Sequence, residues 1–200
     1  MKSKSISTIL RACALAALFV VGTQSEAFAL PIVNFSTTAV FSGSGTNSIT
    51  FNGGGSVNLT FTGVSASLDT PTVTSFGEID LTTTGTFSGA ASTNFTLNIT
   101  QTLPTGGAGA LLGTVNGTIA KNNQSDFILL FSTPFITIGS VTYTLQQPPG
   151  GYFLVPDNTN NGVTSIQGAI AASNPVPEPA TMMLLGSGLL AAFRARRKRA

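Results

Sequence analysis

A chain of 200 residues with 42% apolar side chains, 8% charged ones, 22 glycines, 10 prolines and neither tryptophan nor histidine is not disordered, because disorder needs low hydrophobicity and high net charge. Its formal net charge of +2 comes from the two ends, Lys2, Lys4 and Arg11 at the start and Arg194, Arg196, Arg197, Lys198 and Arg199 at the finish. Between them Lys121 stands against Asp69, Glu78, Asp80, Asp126 and Asp157, so the body is acidic by four charges and nucleic acid is excluded as a partner.

The first segment, residues 1–29, has a basic start, an apolar run over 12–22 and then Ala27-Phe28-Ala29. That order is a secretory signal peptide. A run of about eleven residues is too short to span roughly 30 Å of hydrocarbon, and the small Ala27 and Ala29 suit signal peptidase, so cleavage is expected before Leu30. Cys13, the one cysteine, has the apolar run after it, which makes it a signal-peptide residue and not a lipidated one. The mature body therefore holds neither a disulfide nor a thiolate metal site.

From Leu30 onward the pattern alternates. Ile49 and Phe51 come first, then Val57, Leu59 and Phe61 against Asn58 and Thr60, then Ile79 and Leu81. Phe95, Leu97 and Ile99 oppose Asn94, Thr96 and Asn98, and the period returns at Ile136 and Ile138, at Val141, Tyr143 and Leu145, and at Phe153 and Val155. Apolar residues two apart, punctuated by glycine and proline, predict half-buried strands. About nine or ten short strands with no helix between Leu30 and Gln146 point to one all-β domain, residues 30–173, an antiparallel β-sandwich or jelly roll. The stretch 162–173 has no decisive period. The run from Phe35 to Gly43 is echoed 46 residues later from Leu81 to Gly89, which two duplicated hairpins or the abundance of Thr, Ser and Gly would each produce.

The chemical inventory is thin. A body without His or Cys lacks the commonest bases, nucleophiles and metal ligands, which excludes serine and cysteine triads. Glu78 and Asp80, two apart on one strand face, form the candidate carboxylate pair, since glycosidases use two carboxylates. Against that, such pairs come from facing strands across an aromatic cleft, and the body's tyrosines are only Tyr143 and Tyr152. A solvated strand face is the plainer reading, and no catalytic residue is expected. Asp69 and Asp126 stand beside turns, where carboxylates accept backbone N–H groups, and Lys121 reads as a solvated turn charge. Asp157-Asn158-Thr159-Asn160-Asn161-Gly162 resembles the front of a calcium loop. Thr159 at the third position and Gly168 at the twelfth break that pattern, leaving Asp157 as the candidate for a looser calcium site and no cofactor otherwise. Asn-x-Ser/Thr sites such as Asn34 and Asn94 imply no modification by themselves.

The last segment, residues 174–200, has three parts. Pro175, Pro177 and Pro179 hold the backbone extended and keep Glu178 accessible to a processing enzyme. The apolar run over 180–193 is predicted to be a transmembrane helix; at 1.5 Å per residue it covers about 21 Å, and snorkelling arginines lengthen it toward the roughly 30 Å required. The cluster Arg194, Arg196, Arg197, Lys198 and Arg199 then stays cytoplasmic as a stop signal, with the body outside. Val176-Pro177-Glu178-Pro179-Ala180-Thr181, then Leu185-Gly186-Ser187-Gly188-Leu189-Leu190, then the basic end together resemble the PEP-CTERM sorting domain of Gram-negative bacteria that make extracellular polysaccharide. The apolar stretch is slightly short for that family. The resemblance implies that an exosortase, a membrane cysteine enzyme, cuts near Pro177-Glu178-Pro179 and passes the body on, with an uncut anchor as the alternative. The expected product is a non-catalytic surface or matrix component associated with exopolysaccharide, biofilm or other surface proteins; the alternative is an extracellular polysaccharide hydrolase acting through Glu78, Asp80 or Asp157.

Overall fold

Alternation along the chain becomes two curled antiparallel sheets that share one apolar core. The computed structural model describes residues 30–85, 89–120, 124–125, 127–156, 159–173 and 187–188. The expected signal peptide with Ala27 and Ala29, nearly all of the expected sorting tail, Lys121, Asp126 and Asp157 lie outside the described residues. One sheet holds β1 (Ile32–Phe41), β4 (Ser65–Asp69), β6 (Gly89–Leu103), β7 (Gly107–Ala120), β8 (Gln124–Ser125), β9 (Ile128–Phe131) and β12 (Tyr152–Phe153). Its order is β12-β9-β7-β6-β1-β4, with β8 beside β7. The other sheet holds β2 (Ser48–Asn52), β3 (Gly55–Thr62), β5 (Thr72–Gly85), β10 (Phe135–Ile138), β11 (Val141–Leu145) and β13 (Val163–Ala172), in the order β10-β11-β13-β5-β3-β2.

The predicted inward faces are the buried ones. Val57, Leu59, Phe61, Ile79, Leu81, Phe95, Leu97, Ile99, Val141 and Tyr143 all lie in the core. Phe95 contacts Phe41, Phe61 and Phe131 with ring centroids 5.0 to 5.9 Å apart, and Phe35, Phe76 and Tyr143 form a second cluster at 5.7 to 6.0 Å. Such tilted and edge-to-face contacts add to area burial. Ile49 and Phe51 on β2 are only partly buried, because β2 is an edge strand.

Three expectations change. First, β5, β6 and β7 run 14, 15 and 14 residues, longer than the predicted strands, and β7 is not among those predicted. Its inward positions include Gly109, Gly113 and Gly117, where a Cβ would collide with Ile136 Cδ1, lie 3.0 Å from Leu130 O and lie 2.5 Å from Phe127 Cα respectively. Neighbouring elements fill the space that β7's own side chains leave empty, so the apolar period is missing from its sequence. Second, β12 is turned the other way: Tyr152 and Leu154 are buried while Phe153 is 59% exposed. All of residues 152–155 are apolar, so the sequence carries no phase, and the Tyr152 hydroxyl donating to Gln167 O at 2.9 Å fixes it. Third, residues 163–172 form β13, a central strand between β11 and β5. Ile166 and Ile170 point inward with Gly168 between them, and a Cβ on Gly168 would collide with the Phe76 ring.

Within β5, Gly77 adopts φ +129°, and the pairing with β13 shifts there, Ser165 opposing Glu78 but Gln167 opposing Ser75. This bulge re-phases the strand so that Phe76 and then Ile79 both face the core. The two echoed segments do not repeat structurally. Phe35 lies in β1 between β4 and β6, whereas Leu81 lies in β5 opposite Leu59 of β3 in the other sheet.

Candidate functional site

Glu78 and Asp80 follow one another outward on β5, which places them on the same outer face of the six-stranded sheet. Both are half-buried. Across the strand pairs, Glu78 is flanked by Thr62 and Ser165, and Asp80 by Thr60 and Val163. No facing strand brings another carboxylate to them among the described residues, and Asp69 ends β4 in the other sheet, opposite Ile32. The expected adjacency of the two carboxylates is present; the cleft and the aromatic wall of a glycosidase site are not formed around them by the described residues.

Asp80 has one uncommon feature. Its Oδ1 is buried and accepts no hydrogen bond, and Gly162, at φ +80°, packs so closely that a Cβ there would be 3.0 Å from that oxygen and would collide with Leu81 O. The turn at Asn160–Gly162 thus closes over this end of β5. Asn160 and Asn161 also take positive φ, 48° and 51°, a conformation that asparagine tolerates better than most side chains. Asp157, in the same loop, lies outside the described residues. No group of three or more acidic, His or Cys side chains able to hold a metal occurs among the described residues.

Alongside these carboxylates, both outer faces carry neutral hydrogen-bonding ladders. On the six-stranded sheet, Asn58 Nδ2 donates to Ser48 Oγ (3.2 Å) and Thr50 Oγ1 (2.9 Å), and Thr60 Oγ1 donates to Asn58 Oδ1 (2.8 Å). On the other, Ser92 Oγ donates to Asn116 Oδ1 at 2.5 Å and Asn116 Nδ2 to Thr114 Oγ1 at 3.4 Å. Beside that ladder a shallow depression of about 470 Å³ is lined by Ala90, Ser92, Asn116, Thr118 and Ile128. Ile128 pairs with Asn116 on one side and with Phe153 on the other, so an exposed phenyl ring stands across Ile128 from the amide. Sequence reasoning missed this depression, because Ser92, Asn116 and Ile128 meet only through strand pairing.

The two tyrosines belong to the core. Tyr143 donates to Gln101 Oε1 at 2.8 Å, and Gln101 Nε2 donates to Thr105 O at 2.8 Å and Ile138 O at 3.4 Å. Burial pushes the hydroxyls of Tyr143 and Tyr152 up from 10.0 to about 12, so both stay neutral donors. Neither serves as a surface platform.

The chain's last described strand, β13, ends at Ala172, and the Pro-Glu-Pro segment, the apolar run and the basic cluster come after it. Residues 175–198 match the family model of the PEP-CTERM protein-sorting motif. The tail is a sorting signal. The PEP-CTERM motif implies an exported protein, transiently anchored in the membrane and processed by an exosortase. Pro177, Glu178, Pro179 and the cluster Arg194, Arg196, Arg197, Lys198 and Arg199 fall within or immediately beside the matched range. No helix among the described residues is long and apolar enough to cross a membrane; the run over 180–193 lies almost wholly outside them. No curated protein and no solved structure matches the chain.

Proposed function

We propose that this is a non-catalytic component of the cell surface or extracellular matrix, released from its membrane tail by an exosortase of a Gram-negative cell and associated with exopolysaccharide in a biofilm. The match of residues 175–198 to the PEP-CTERM sorting motif carries this reading, since substrates of that machinery are exported. The sheet faces supply a compatible surface. Rows of Ser, Thr and Asn side chains offer neutral donors and acceptors to sugar hydroxyls without the desolvation cost of charge, and the exposed Phe153 beside Ile128 offers an apolar patch to a sugar ring.

The test uses the processed protein recovered from the culture medium, co-sedimented with the producing organism's own exopolysaccharide while released sugar is assayed. The expected outcome is sedimentation with the polysaccharide and no released sugar. A second reading, a polysaccharide hydrolase, draws on the adjacent Glu78 and Asp80 and the buried, unpartnered Oδ1 of Asp80; sugar release that Glu78→Gln abolishes would establish it. No cofactor is required by the preferred reading, so binding persists in chelator, and its loss there would instead assign a calcium ion to the loop of Asp157.

A further inference from the structure

Several chain ends and turns meet where the sorting tail leaves the domain. Ala172 pairs with Val141, and Ser173 N donates to Ser140 O at 2.9 Å, which places the exit beside the β10–β11 turn. Two residues earlier, Ile170 pairs with Thr72 at the start of β5. Just before β5, Thr70 N donates to Pro31 O at 3.1 Å, which brings in the start of the described chain. Asn34 pairs with Leu103, and a Cβ on Gly139 would collide with Thr105 Oγ1, so the β6–β7 turn joins the same end.

Five of the eight large exposed apolar side chains among the described residues lie toward this end: Leu30, Ile32, Val73, Leu103 and Phe135, between 45% and 62% exposed, with Phe135 in the cross-strand row of Val73 through Thr144 and Ala169. Ile32 projects from one sheet, Val73 from the other, and Leu103 from the tip between them, so the end carries an apolar rim. Among the described residues Asp69, opposite Ile32, is the only acidic or basic side chain at this end. Exposed apolar groups gathered in one place mark a contact surface.

We propose that this rim rests on the lipid surface of the membrane while the tail is still attached. The inference depends on the anchored precursor described above and adds the orientation of the domain. Residues 174–179 separate Ser173 from the apolar run that begins at Ala180, and fully extended they reach at most about 20 Å. The end of the domain that holds Leu103 and Val73 therefore stays within about 20 Å of the bilayer surface. An apolar rim held there is buried among headgroups and upper acyl chains, as the apolar faces of interfacial proteins are. The contact also fixes which end of the domain faces the membrane in which the processing enzyme is embedded. Release of the tail frees the rim.

Single-cysteine variants Val73→Cys, Leu103→Cys and Leu130→Cys of the tail-bearing chain, in a Cys13→Ser background, are labelled with an environment-sensitive bimane and bound to phosphatidylcholine vesicles containing headgroup-level nitroxide lipid. Leu130, exposed and paired through Thr114 with Asn94, is the control, since Asn94 and Leu103 stand about 30 Å apart along β6. The expected result is a blue-shifted, quenched probe at 73 and 103 and an unshifted, unquenched probe at 130. If the chain floats with the vesicles but all three probes remain aqueous, or all three are quenched alike, rim docking is overturned while the anchor stands. Failure to float overturns the anchor and the docking together. Crosslinking of 73 or 103 in cells to a membrane protein, with aqueous probes on vesicles, assigns the rim to that protein and not to lipid.

Discussion

At Gly117 an added methyl group would sit 2.5 Å from Phe127 Cα, a backbone atom with no freedom to withdraw, whereas at Gly106 the nearest atom to such a methyl is 3.9 Å away. Gly117→Ala is expected to lower unfolding stability by about 1–3 kcal/mol through overpacking, while Gly106→Ala stays within about 0.5 kcal/mol; urea titrations of the two variants check the contrast. Gln101 is a second residue whose role is local and exacting. It is 1% exposed and joins Tyr143, Thr105 and Ile138, so Gln101→Leu leaves a buried hydroxyl and two carbonyls short of a partner, at a cost of about 1–3 kcal/mol by the same measurement. The tyrosines set a pH limit. Their folded values near 12 lie above the ordinary 10.0, and a group whose ionisation is suppressed by folding contributes stability that is complete below pH 10 and lost as pH rises toward 12. The urea midpoint should be flat up to about pH 10 and fall above it, and Tyr152→Phe should remove part of the fall.

Among the elements, β13 and β10 make opposite use of their backbones. β13 is hydrogen-bonded on both sides, to β11 and β5, whereas β10 is an edge. Ala169→Pro removes a ladder donor from the middle of the sheet and is expected to cost about 3 kcal/mol or more, measured by thermal unfolding. Thr137 faces the non-hydrogen-bonded position of its pair, with its Oγ1 3.1 Å from that of Thr142, and its N–H points away from β11, so Thr137→Pro should lower the midpoint far less. Strands of this fold were legible where large side chains alternate, as in β3 and the middle of β6. They were illegible where glycine takes the inward positions, as in β7 and at Gly168, because the side chains that fill those positions come from other elements. Phe153 misled because four apolar residues in a row carry no period.

For the whole molecule, the sorting tail governs where the domain goes. Glu178→Ala is expected to leave the protein in the membrane fraction at the mass of the tail-bearing form, and immunoblots of membrane and medium fractions check this. The sorting motif was readable from sequence, because its Pro-Glu-Pro, apolar and basic parts follow one another in a single contiguous stretch. The adjacency of Glu78 and Asp80 was readable for the same reason, being a spacing of two on one strand. The tertiary structure alone decided that a buried oxygen of Asp80 lies beneath Gly162, that Ser92, Asn116 and Ile128 line one depression, and that Leu30, Ile32, Val73 and Leu103 gather where the tail departs. Each of those arrangements joins residues far apart in the chain through sheet pairing, and register between distant strands is set by the packing of the whole core.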